Sequence, residues 1–140
     1  MYIESKLQER WDRFLAVSRP GLIEALSIQI TEIKQGFVKA SMPVTDTVKQ
    51  PFGMLHGGAS VTLAETVASL GSYMLLDSES GRISGIEINA NHLRPVSKGS
   101  VSAEAAIMHQ GRLIHVWQIN ITDQQNLPVC VGRCTIAINP

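Results

Sequence analysis

A chain of 140 residues, 44% hydrophobic and 17% charged, suits one globular domain spanning residues 1–140 and is too apolar for a disordered segment. Twelve Lys plus Arg balance twelve Asp plus Glu, so no net field would hold a nucleic-acid backbone or an anionic membrane surface. A domain of this size removes roughly two thirds of its unfolded surface from water, so it needs no disulfide staple.

Along residues 4–17, Leu7, Trp11, Phe14 and Leu15 fall on one stripe of a short amphipathic helix, which Arg19-Pro20-Gly21 ends. From Ile28 to Met42 the apolar residues alternate, with a turn at Gln35-Gly36, and predict two paired strands. Pro43 to Phe52 reads as a loop. Gly57 to Leu76 carries no proline and is apolar almost all round, the pattern of a long helix covered on most sides. A turn at Glu79-Ser80-Gly81 follows. Four strand-like runs come next, Ile83 to Leu93, Gly99 to Met108, Leu113 to Thr122 and Leu127 to Ile138, with polar turns between them. Consecutive strands on short turns predict antiparallel pairing, so the expected fold class is α+β: an antiparallel sheet curled around one long central helix, with a short N-terminal helix.

Cys130 and Cys134 share one predicted strand, where four residues set their Cα atoms about 13 Å apart. That is too far for a disulfide, and both read as small buried hydrophobes. Met1-Tyr2-Ile3-Glu4-Ser5-Lys6 lacks the pattern of a secretory leader, which predicts a reducing, cytoplasmic setting. No window reaches the roughly 18 apolar residues of a membrane span. His109 and His115 read as ordinary turn and strand residues, and with no Cys or carboxylate cluster beside them they predict no metal site.

Between Lys49 and Asp77 the only Asp, Glu, Lys or Arg is Glu65. A carboxylate in a helix that the core must cover is costly unless it is paired, hydrogen-bonded or reached by water. Thr62, Glu65, Ser69 and Ser72 recur at helical spacing and predict a narrow polar stripe along a pocket wall. At the helix start, His56-Gly57-Gly58 leaves backbone N–H groups unshielded at the positive end of the helix dipole, a ready site for an oxyanion. Neither a G-x-G-x-x-G pattern nor a Walker lysine accompanies it, so a phosphate loop is a weak reading. Glu65 stands eight residues beyond Gly57, about 12 Å along the axis. One helix cannot bring both to one atom. Two copies with antiparallel helices can, and the composite site would hold a carboxylate and an oxyanion donor on opposite sides of a reacting carbonyl, as acyl transfer requires.

The segment Gln50-Pro51-Phe52-Gly53-Met54-Leu55-His56-Gly57-Gly58, continued through Glu65 to Ser69, resembles the active-site signature of the hot-dog-fold acyl-CoA thioesterases. Within that family it is similar to the branch that contains 1,4-dihydroxy-2-naphthoyl-CoA, 4-hydroxybenzoyl-CoA and enterobactin-pathway proofreading thioesterases. The likeness continues through Gly85-Ile86-Glu87-Ile88-Asn89-Ala90-Asn91-His92-Leu93-Arg94-Pro95, Gly111-Arg112 and Val116-Trp117-Gln118-Ile119, and so covers nearly all of the chain after about Leu26.

The resemblance implies Glu65 as the catalytic carboxylate, either nucleophile or general base on water. It implies the Gly57 N–H as oxyanion donor, Gln50 and His56 as polar groups around the thioester, and Ser69 as the hydroxyl that holds water or product. His92 is implied as a pocket residue, and the strand pattern puts Ile86, Ile88, Ala90 and His92 on one face. Gly85 and Phe52 complete the expected substrate contacts, with Arg94, Lys98 and Arg112 as candidates for coenzyme A phosphates. Phe52, Met54, Leu55, Val67, Ala68 and Leu70 are expected to build an apolar acyl pocket. The implied partner is an acyl-CoA substrate, with no metal and no cofactor beyond the coenzyme A of the substrate. A homodimer is the implied minimal unit and a homotetramer, a dimer of dimers, the implied assembly. Two departures stand out: the loop Asp77 to Arg82 is about one residue longer than expected, and Pro128 comes early in the last strand, where it removes a ladder donor. Two alternatives stand beside the thioesterase: an acyl-thioester hydratase or dehydratase, which the His-Gly-Gly to Glu65 spacing fits less well, and a non-catalytic acyl-CoA-binding module.

Overall fold

A computed structural model describes residues 1–77 and 81–139. Its seven strands are β1 (Tyr2–Ile3), β2 (Gln29–Lys34), β3 (Phe37–Pro43), β4 (Arg82–His92), β5 (Ser100–Gln110), β6 (Ile114–Asp123) and β7 (Pro128–Asn139). They form one sheet in the order β1-β2-β3-β5-β6-β7-β4. Every neighbouring pair is antiparallel except β1 with β2. The helices are α1 (Gln8–Val17), α2 (Leu22–Ala25) and α3 (Gly57–Met74).

α3 is the predicted long helix, and the sheet wraps it. It packs against β3, β4, β5, β6 and β7. Leu63, Val67 and Ala68 are fully enclosed, and so are Val38, Ala40 and Met42 of β3 and Val101, Ala103 and Ala105 of β5. Ala40 stands opposite Ala103 in the ladder, and these short side chains let the helix lie close to the sheet. At the other end, Gly71 makes room for the fully buried Trp117: a Cβ there would lie 2.4 Å from the indole ring.

Several expectations need correcting. The N-terminal helix is a 3-10 turn (Ser5–Leu7) followed by α1, and strand β1 and helix α2 were not expected from the pattern. Gly21 caps the start of α2, and its N–H donates to Glu24 Oε2 at 2.7 Å. Although β4 and β5 are consecutive, they are not neighbours: β5 lies against β3, and β4 lies on the far edge beside β7. Their connection instead passes the start of α3, where Leu55 N–H donates to Val96 O at 2.7 Å and Val96 is buried.

β4 also carries a bulge between Gly85 and Glu87, which turns Ile86 out to 57% exposure and away from the face of Ile88, Ala90 and His92. Pro128 is the first residue of β7, a position where a missing donor is tolerated. Cys130 and Cys134 are free and buried, and burial, then Glu65 and Glu87, push the Cys134 thiol up to about 12. Most of the expected turn Glu79-Ser80-Gly81, and with it the length of that loop, lies outside the described residues.

Candidate active site

The loop before α3 folds on itself. Gln50 N–H donates to Met54 O at 2.8 Å and Gly53 N–H to Gln50 O at 2.9 Å. Phe52 N–H donates to the side-chain oxygen of Gln50, which fixes that amide and leaves its NH2 without an acceptor among the described residues. His56 then caps the helix: its Nδ1 accepts the Gly58 N–H at 2.8 Å, so the neutral ring carries its proton on Nε2. His56 O takes the N–H groups of Ala59 and Ser60 at 3.0 and 3.3 Å.

One first-turn donor is left. Among the described residues no acceptor faces the Gly57 N–H, at the end of α3 where the dipole is positive. The imidazole of His92, from β4, lies against this glycine so closely that a Cβ on it would sit 2.7 Å from His92 Nε2. Gln50, Met54, Gly57, His92 and Arg94 surround a cavity of about 370 Å³. Glycine at residue 57 lets the His92 ring lie this close to the start of α3, because any side chain there would press on the imidazole.

Glu65 faces elsewhere. Its carboxylate is exposed and lies against β4 at Gly85, where a Cβ would come within 2.6 Å of Oε1. Among the described residues it has no hydrogen-bond or ion-pair partner. The helix therefore does not bury this charge in the single chain, and that is how the charge is tolerated. Glu65 and Ser69 border a second cavity of about 710 Å³. The neighbouring hydroxyls are already engaged, Thr62 with Gly58 O at 2.9 Å and Thr66 with Thr62 O at 2.8 Å. Ser69, one helical turn from Glu65, has no partner among the described residues.

The expected polar stripe thus ends at Ser69. Ser72 is fully buried on β6, where its Oγ accepts the Trp117 indole N–H at 2.8 Å and lies 3.1 Å from His115 Nδ1. With the Trp117 proton received, the Ser72 hydroxyl has its own proton to give to His115. Burial, then the nearby His109, holds the His115 pKa below the usual imidazole range, against a smaller upward pull from Asp77. His115 is therefore a buried network residue rather than an ordinary strand position, and only its distant pairing with Ser72 distinguishes it.

The remaining expected residues are spread out. Arg94 borders the Gly57 cavity, but its guanidinium pairs with Asp123 and reaches Leu127 O at 3.4 Å. Asp123 also accepts the N–H groups of Leu127 and Gln125, and these bonds with the Arg94 pair hold its carboxyl below the usual range. Arg112 lies at the other end of α3, in a cleft with Asp77 and His115. Phe52 is 88% exposed at the loop tip. Met54 and Leu55 border the Gly57 cavity and Leu70 the Glu65 cavity, whereas Val67 and Ala68 are core residues and form no pocket wall. Trp11, Phe14, Leu22 and Ile23 do form a wall, on the Glu65 cavity. The pattern had pointed to Trp11 and Phe14 as packing residues only.

Gly57 and Glu65 thus open into different cavities on one helix. The span from Phe52 to Cys130, which holds α3 and both cavity floors, matches the thioesterase superfamily. The chain belongs to the thioesterase superfamily. Its hot-dog fold and its class as a thioester hydrolase follow from that membership. This thioesterase is 43% identical over 118 residues to the 1,4-dihydroxy-2-naphthoyl-CoA hydrolase of Listeria monocytogenes, covering 84% of this chain and 95% of that one. It is 38% identical over 123 residues to the proofreading thioesterase EntH of Klebsiella pneumoniae, covering 88% and 89%. Among solved structures, a thioesterase of Staphylococcus aureus with one glutamine replaced by alanine superposes with a TM-score of 0.83 at 46% identity, covering 85% of this chain and 98% of that one.

Proposed function

We propose that this thioesterase hydrolyses an aromatic or other bulky acyl-CoA, 1,4-dihydroxy-2-naphthoyl-CoA or a related ester, at a site shared by two copies of the chain. One observation carries the reading: α3 presents an N–H at Gly57 and a carboxylate at Glu65 that have no partner among the described residues, about 12 Å apart along the helix, in two separate cavities. The thioester carbonyl accepts the Gly57 N–H of one protomer, and the partner's Glu65 approaches from the other side. Charge that develops on the carbonyl oxygen is stabilised by a fixed donor at the positive helix end.

Glu65 takes a proton from water held by Ser69 as that water attacks the carbonyl, or attacks the carbonyl itself to form a mixed anhydride that water then hydrolyses to the free acid and the Glu65 carboxylate. A C–O bond forms and the C–S bond breaks, and the thiolate leaves and is protonated as coenzyme A. A thiolate is a good leaving group, so the step asks only for orientation, a donor and a base. Gln50, through its free NH2, and His92 flank the carbonyl, and His56 holds the turn that aims Gly57. The exposed edge of β4, with Gly85 and Ile86, is the surface on which a second copy completes the site, and a dimer of dimers in the cytoplasm is the proposed assembly. The name and 43% identity of the listerial relative support the substrate class. The staphylococcal protein has been crystallised with either a glutamine or a glutamate replaced by alanine at positions fifteen residues apart, the spacing of Gln50 and Glu65 here.

Glu65→Gln tests the reading. The variant keeps its fold and oligomeric state and loses at least about a thousandfold in kcat, the scale of removing an essential base or nucleophile. Near-normal release of coenzyme A, followed by thiol detection, refutes the mechanism. Hydration of crotonyl-CoA by the wild-type protein would replace it with a hydratase.

A further inference from the structure

The cavity that holds Glu65 and Ser69 has a second wall that no catalytic role explains. α1 and α2 roof it with Trp11, Phe14, Leu15, Leu22 and Ile23, opposite Leu70, Tyr73 and Ile83. Both helices lie before residue 52, outside the span that matches the superfamily. α1 is held from one side by aromatic contacts: Trp11 stacks on Phe14 at 5.3 Å, and Phe14 meets Tyr73 of α3 at 5.6 Å. Leu15 and Leu22 border the same space, yet they remain 53% and 59% exposed. Large apolar side chains left open around a cavity favour an apolar occupant.

Charge decides which end of a substrate fits. Glu24 and Glu65 border the cavity, and no Lys, Arg or His does so among the described residues; Arg10 lies over the ring of the wall residue Tyr73, at 5.8 Å. The phosphates of coenzyme A would be repelled there. So would an acyl group that ends in a carboxylate. At about 710 Å³ the space is in the range that takes a drug-sized group, far more than an acetyl needs.

Building on the thioesterase reading above, we propose that the space between the α1–α2 pair and α3 is the acyl cavity, and that Leu15, Leu22 and their neighbours on these two helices select bulky, uncharged, apolar acyl groups. Glu65 and Ser69 then meet the thioester at the cavity's polar end, while the acyl group lies under the two helices. Naphthoyl-CoA is preferred to acetyl-CoA, and succinyl-CoA, which carries a terminal carboxylate, is a poor substrate.

The test uses two substrates and one optical signal. Leu15→Glu and Leu22→Glu, made separately at exposed positions, each add a charge at the roof. The ratio of kcat/KM for 2-naphthoyl-CoA to that for acetyl-CoA falls at least tenfold in each, with circular dichroism reporting the fold. A ratio within twofold of wild type in both overturns the proposal. Independently, the uncharged 2-naphthamide quenches tryptophan emission through Trp11, and Trp11→Phe abolishes the quench, because Trp11 borders the cavity and Trp117 does not. A quench that survives in Trp11→Phe, or is absent from the wild type, also overturns it. If wild-type protein releases no coenzyme A from any ester while 2-naphthamide still quenches Trp11, the hydrolytic reading fails and the apolar cavity stands.

Discussion

Gly57→Ala separates packing from chemistry at the proposed oxyanion donor. The new Cβ would lie 2.7 Å from His92 Nε2 and 3.1 Å from Cε1, against 3.4–4 Å for ordinary contact, so the ring must retreat by about 0.7 Å. His92 is exposed and can swing. Overpacking of this kind costs about 1–3 kcal/mol, and the better helix propensity of alanine returns up to about 1 kcal/mol. Stability therefore falls by no more than about 3 kcal/mol, measured by urea denaturation. Activity falls much further, because the methyl group and the displaced imidazole occupy the approach to the N–H. Loss of one oxyanion donor lowers kcat by about 10²–10³-fold. His92→Ala in the same chain relieves the clash and restores stability, so the two substitutions are non-additive in a denaturation cycle. A Gly57→Ala enzyme that keeps a kcat within about threefold of wild type would refute the donor role of this N–H.

Ser72→Ala leaves the Trp117 indole N–H and the His115 ring without their buried partner, and lowers stability by about 1–3 kcal/mol in denaturant titration with kcat changed by less than about twofold; an equal loss of kcat would place this network in the site. Because the folded His115 pKa lies below its ordinary 6.5, the unfolded chain binds the proton first as pH falls. Stability is whole above about pH 6.5 and is lost below it, toward the folded-state value. His115→Gln flattens that part of the curve in melts between pH 5 and 8, and an unchanged slope would show that another group is responsible. Arg94→Gln raises KM for an acyl-CoA but not for the matching N-acetylcysteamine thioester if Arg94 serves the phosphates; an equal rise for both, reproduced by Asp123→Asn, assigns Arg94 to holding the β6–β7 turn.

Patterns that depend on near neighbours were readable from the chain alone. α3 announced itself through its composition, and Glu65 through its isolation among apolar residues. The separation of Gly57 from Glu65 followed from helical rise alone, and the structure puts the two in different cavities. What the sequence could not convey are contacts between distant segments. The bulge at Ile86 breaks the alternation of β4 without any glycine or proline at the bulged residue. Ser72 shares the helical spacing of Thr62 and Ser69, yet β6 covers it at the far end of α3. Arg94 looked like a free cation because Asp123 is 29 residues away. The roof of the Glu65 cavity was invisible for the same reason, since α1 and α2 meet α3 only through tertiary packing.

The placement of β4 bears on how the enzyme is made. This strand carries Gly85 and His92, the residues that press on Glu65 and Gly57, yet among the described residues its one ladder partner is β7, with Arg82 facing Asn139 and His92 facing Cys130. During synthesis β4 leaves the ribosome before β5, β6 and β7 and must wait for all three. Until then its backbone donors and acceptors are open to other chains. Closure of the sheet is thus a late, long-range step that slows folding, and the side chains that β4 lends to the two cavities, Ile83 and His92, take their places only when it occurs. A nascent or truncated chain that lacks β7 would carry every proposed catalytic side chain and still be inert, exposed to aggregation and to proteolysis.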